Sequence, residues 1–166
     1  FHVNCNKELL DRNDNTKADD YFTETCLLFI KAYFENENKD ERYKVRSEFQ
    51  IKTDPNNKRK HIKPDVSIHD KDNNLLAAIE IKVSDGFKRK SIAAHLNERE
   101  QNIKTFFPNA FFGVIAYWNF FDINSEKWNS EYIGIKQWSN DNKHPKTGAC
   151  IENLILSIEN HLDNRI

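Results

Sequence analysis

Two acids and a lysine in the middle of this chain carry the residue types and spacing that can do chemistry. Asp65 follows Pro64, and Glu80 and Lys82 flank Ile81 in the run Ala77-Ala78-Ile79-Glu80-Ile81-Lys82. The turn residues Asp70 to Asn74 separate two segments of strand character, His61–His69 and Leu75–Val83. A turn centred between Asp72 and Asn73 pairs residues whose numbers sum to 145, which sets Asp65 opposite Glu80. Side chains alternate along a strand, so Lys82 shares the face of Glu80 while Ile79, Ile81 and Val83 enter the core. Opposed carboxylates repel and weaken a ladder. A divalent cation is the simplest compensation, and hard oxygen ligands of this kind suit Mg2+ or Mn2+. The chemistry such a set performs is phosphodiester hydrolysis: the cation activates water, and Lys82 positions that water or offsets charge in the transition state.

Further residues bear on the same centre. If the preceding hairpin pairs residues summing to 113, Glu48 also stands opposite Asp65. Lys58, Arg59, Lys60 and Lys63 precede Asp65, and Lys88, Arg89 and Lys90 follow Lys82, so two basic runs flank the acids, as candidate phosphate contacts or as the charged residues that solvated turns collect. The competing reading of Asp65, Glu80 and Lys82 is a solvated charged face of an edge hairpin with a cross-strand salt bridge.

The elements that must position these residues are legible in the periodicity. Thr16 and Asp19 resemble a capping box, and Phe22, Cys26, Phe29, Ile30 and Tyr33 follow at helical spacing to about Glu35. Arg42–Lys52 switches to period two, giving a first strand, with His61–His69 and Leu75–Val83 as the second and third of an antiparallel meander. Ser91 caps a helix to about Thr105, stopped by Pro108. Ala110–Trp118 is then an apolar run of strand length, so the intervening helix implies a crossover to a parallel neighbour. Only a short strand near Tyr132–Trp138 is visible before a closing helix with Ile151, Leu154, Ile155, Ile158 and Leu162 at helical spacing. The expectation is α/β: a mixed central sheet, antiparallel meander plus parallel strand, flanked by helices in the order α-β-β-β-α-β. Residues 1–15 read as an arm and 16–166 as one domain.

At these residues the chain resembles the PD-(D/E)XK nuclease superfamily. Pro64-Asp65 supplies the PD, Glu80-Ile81-Lys82 the E-x-K, and the order of elements over residues 16–118 is similar. The resemblance implies a restriction-endonuclease-like core in which Asp65 and Glu80 bind metal, the Ile81 carbonyl is a further ligand and Lys82 is catalytic. Many members add an acid from the first helix or first strand, for which Glu24 and Glu48 are the candidates. Several branches place a glutamine on the helix after the E-x-K, a place Gln101 matches, although Thr105 stands where the exonuclease branches carry an aromatic.

Lysines and arginines number 25 against 26 aspartates and glutamates, so a nucleic-acid site must be a local patch. Cys5, Cys26 and Cys150 fit neither a disulfide framework nor paired zinc ligands, which points to a reducing, cytoplasmic setting. No run is long enough to cross a membrane. The chain opens at Phe1 and holds no methionine, as expected of a segment from a longer protein. These readings converge on a Mg2+- or Mn2+-dependent endonuclease with DNA favoured over RNA, acting as a homodimer or attached to a larger chain. The alternatives are a ribonuclease or toxin module on the same fold, and a scaffold that binds nucleic acid without cutting.

Overall fold

The computed structural model describes residues 18–37, 39, 41–53, 61–82, 92–119, 124–137, 146–147 and 150–164. The expected arm at residues 1–15 lies outside them, as do Val83, Ser91 and the basic residues Lys58, Arg59, Lys60, Lys88, Arg89 and Lys90. Helix α1 spans Ala18–Asn36, and its buried stripe is Cys26, Leu27, Ile30 and Phe34. Phe29, expected inside, is exposed, because Leu27 and Phe34 complete the stripe instead. Five strands follow: β1 (Lys44–Ser47), β2 (Ile51–Lys52), β3 (His61–Ile62), β4 (Val66–His69) and β5 (Leu75–Lys82). Helix α2 (Ile92–Phe106) leads to β6 (Phe111–Trp118), then come β7 (Tyr132–Gln137), β8 (Lys146–Thr147) and helix α3 (Ile151–Asp163).

The main sheet has the order β1-β4-β5-β6-β7-β8. β1, β4 and β5 form the antiparallel meander, β5, β6 and β7 run parallel, and β8 returns antiparallel. The chain is therefore α/β with a mixed sheet flanked by helices, and the helix between β5 and β6 makes the crossover that a parallel pair requires. Both faces are covered. Cys26, Leu27, Ile30 and Phe34 of α1, with Leu154, Ile155, Ile158 and Leu162 of α3, pack on Val66, Ile68, Ile79, Ile81 and Ile115. On the other face Leu96 and Ile103 of α2 pack on Ala78, Phe112 and Val114, joined by Ile51.

Two expected strands are each broken in two. Arg42–Lys52 divides at Glu48, whose φ of 47° is left-handed and cannot continue a ladder. His61–His69 divides at Lys63–Asp65, where Pro64 has no N–H to give. Beyond these two breaks β2 and β3 pair with each other as a separate two-stranded ribbon, Ile51 opposite Ile62. The two-residue β8 has no counterpart in the periodicity, being too short to show one.

Where β7 passes the end of β6 the backbones are tight. A Cβ on Gly134 would lie 2.5 Å from Asn119 Cβ and 2.7 Å from Asn119 Cα, and a backbone atom cannot swing aside. Gly134→Ala is expected to cost about 1–3 kcal/mol of stability by overpacking, read as a lower melting temperature. Gly113→Ala meets the flexible ends of Leu154 and Phe111 at 2.8 and 3.1 Å and serves as the milder comparison. Equal melting temperatures for the two variants would contradict this packing.

Candidate active site

The acids sit where the antiparallel ladder ends. β4 and β5 pair as Val66↔Ile79, Ser67↔Ala78 and Ile68↔Ala77, so the next step outward brings Asp65 level with Glu80. β1 pairs with β4 from Lys44↔His69 to Ser47↔Val66, and one step further the Glu48 N–H donates to the Asp65 carbonyl at 3.0 Å. Both registers have the expected sums, 113 and 145. The second is reached through a register shift between Ile68 and His69, because the turn is centred on Asp72 rather than between Asp72 and Asn73. The Ile81 N–H, past the last pair with β4, donates to Asp65 Oδ2 at 2.6 Å, so the side chain of Asp65 takes over as acceptor where the strand gives out.

Lys82 Nζ bridges the acids, 3.0 Å from Glu80 Oε2 and 3.4 Å from Asp65 Oδ2. Glu80 is 3% exposed, which a charged side chain tolerates only when paired. Its second partner is Arg99 on α2. The guanidinium donates to Glu80 Oε1 through Nη2 at 2.7 Å and Nε at 3.2 Å, and Nη2 also reaches the Lys63 carbonyl at 3.0 Å. Lys82 and Arg99 keep about a quarter of their side chains in solvent, 25% and 28%. The picture of a wholly solvated charged face does not survive the burial of Glu80, although its salt bridge is present.

Burial pushes the Asp65 carboxyl above its ordinary value of 3.8. The Lys82 ammonium works against that rise, and the neighbouring Glu80 carboxylate adds to it. Protons therefore bind the folded state more tightly here than the unfolded chain. The stabilisation is fully present below pH 3.8 and is lost as pH rises through the higher folded-state value. Comparing urea unfolding of the native chain with that of Asp65→Asn should reveal this as a stability difference that drifts against the native chain across that window. A difference that is flat with pH would contradict the burial assigned to Asp65.

The other sequence candidates disperse. Glu48 is exposed, and its carboxylate pairs with Lys63 Nζ at 3.1 Å rather than turning to the bridge between Asp65 and Glu80. Lys63 is thereby engaged by an acid on its side chain and by Arg99 on its carbonyl. Glu24 belongs to α1, which packs on the face opposite Glu80. Gln101 is exposed, about 200° around α2 from Arg99, and is not brought to the acids. Arg99 itself escaped the sequence reading. Its signal was an arginine spaced three and four residues from Leu96 and Ile103, inside the buried stripe of α2. His69, buried beneath Phe49, bonds Ser67 Oγ at 2.9 Å and the Asn73 carbonyl at 3.2 Å, and burial lowers its pKa. It ties the hairpin together.

Among the described residues no three His, Cys, Asp or Glu side chains are gathered as a cation cage. The donor set nevertheless fits a hard cation of the Mg2+ type, which binds through one or two carboxylates and fills its shell with water and substrate phosphate. Asp65 and Glu80 each turn an oxygen toward a single cationic nitrogen. Comparison with protein-family models, with characterised proteins and with solved structures returns no match. No helix among the described residues is long and apolar enough to cross a membrane.

Proposed function

We propose that this chain is a Mg2+- or Mn2+-dependent nuclease with a restriction-endonuclease-like core of the PD-(D/E)XK kind, hydrolysing phosphodiester bonds with DNA favoured over RNA. The observation that carries the reading is the convergence of Asp65 and Glu80 on Lys82 at the end of one ladder. A divalent cation bound there supplies Lewis acidity and neutralises charge developing at phosphorus. Asp65 and Glu80 are the residues that hold it, with the Ile81 carbonyl as a further ligand by resemblance. Lys82 supplies a positive charge and donors at the reacting group, orienting the water or stabilising the transition state. The basic residues on either side of the motif serve the polyanion, and a second copy or a larger chain supplies the second centre that duplex cutting needs.

Supercoiled plasmid and structured RNA incubated in parallel with Mg2+, and again with EDTA, test the proposal. Cutting of DNA that EDTA abolishes is the expected result, and cutting of RNA alone would move the substrate to the ribonuclease reading. No cation-dependent cutting of either removes the enzyme. One observation favours a non-cleaving scaffold: Lys82 and Arg99 already neutralise the two acids without any ion.

A further inference from the structure

We infer that Arg99 is a charge counterweight that keeps the cation site weak in the free protein and couples cation binding to the arrival of nucleic acid. The inference rests on the cation-dependent reading of Asp65, Glu80 and Lys82. Two negative groups, Asp65 and Glu80, face two positive ones, Lys82 and Arg99, and the neighbouring Glu48–Lys63 pair is neutral by itself. The centre is thus balanced among the described residues before any ion enters. A divalent cation leaves it with two surplus positive charges in a place where Glu80 is cut off from water. Phosphates of a bound nucleic acid cancel that surplus. Cation and polyanion therefore each bind better when the other is present, and linkage makes the two gains equal.

Arg99 is the member of the set that creates the balance. Lys82 lies between both acids, whereas Arg99 touches Glu80 from the α2 side and saturates Oε1 with two donors. Glu80 is left to meet an ion through Oε2, the oxygen it shares with Lys82. Without the guanidinium, the two acids face a single lysine and the centre carries a net negative charge. A unit charge a few ångströms away, at the effective dielectric of a protein surface, changes a cation's affinity by well over a factor of ten. Arg99 also holds the Lys63 carbonyl, which fastens the segment leading to Asp65 onto α2. A purely positioning role for that contact makes the opposite prediction, since loosening the acids weakens their grip on an ion.

The test is a Mn2+ titration followed by the electron paramagnetic resonance signal of the free ion, with and without a short phosphorothioate DNA duplex and with the duplex alone as blank. For the native chain the duplex should tighten Mn2+ binding at least about tenfold. Arg99→Gln should bind Mn2+ at least about tenfold more tightly without DNA and lose most of the gain on adding it. Arg99→Lys keeps the charge and should stay close to the native chain. Equal or weaker Mn2+ binding by folded Arg99→Gln overturns the counterweight while leaving the nuclease reading intact. Should Arg99→Gln fail to fold, a native chain whose Mn2+ affinity is indifferent to the duplex overturns it equally. If the native chain takes up no Mn2+ under any condition, both the counterweight and the cation-dependent reading fall.

Discussion

Lys82→Met is expected to reduce cation-dependent strand cleavage by at least about 10²–10³-fold in kcat, the usual cost of removing one preorganised donor from a reacting centre. Methionine keeps the length of the stem and removes the charge, and the site is built so that the loss is chemical rather than architectural. Glu80 retains both bonds from Arg99, and Asp65 retains the Ile81 N–H at 2.6 Å. Single-turnover cleavage at saturating Mg2+ is the measurement, with unfolding by urea as the control for folding. A variant that cuts at the native rate would remove Lys82 from the mechanism.

The largest effect on stability should come from Glu80→Ala. The native side chain is 3% exposed between two cations. Deleting one partner of a buried ion pair costs about 3–5 kcal/mol, because the remaining charge is left without compensation. Arg99 and Lys82 keep about a quarter of their surface in water, 28% and 25%, so the low end, about 3 kcal/mol, is expected. The urea midpoint should fall accordingly. The paired replacement Glu80→Leu with Arg99→Leu removes both charges together and should recover most of the loss, as apolar substitutes for buried pairs often do. A drop below about 1 kcal/mol in the single variant would show that Glu80 is not held as its neighbours imply.

Much of this site was readable from the chain because its geometry is set by short-range pairing. The strand signal, the turn at Asp70–Asn74 and the apolar run holding Glu80 place Asp65 within one residue of Glu80 across the ladder, and the shift between Ile68 and His69, which no sequence pattern announces, supplies the last step. Alternation also separates Lys82 from Ile81. What could not be read came from elsewhere in the chain or from single backbone angles. Arg99 reaches Glu80 from 19 residues away through the packing of α2 on the sheet, which no local pattern encodes. The break at Glu48 is one left-handed residue inside an otherwise regular alternation, and glutamate gives no warning of it. The sequence offered an ion or a cross-strand salt bridge as compensation for the acids; Lys82 supplies the salt bridge, and the burial of Glu80 is met by a second cation, Arg99, that the sequence did not announce.

The match of register hides an accident of construction. The turn itself is centred on Asp72, since the Asp70 N–H donates to the Asn74 carbonyl and His69 pairs with Leu75. A slip between Ile68 and His69 then adds the residue that brings Val66 opposite Ile79. Were the hairpin to run without that slip, every side chain below it would be displaced by one place against β5, and Asp65 would be level with Ile79. The irregularity is thus what levels Asp65 with Glu80, at the end of β4 remote from the turn.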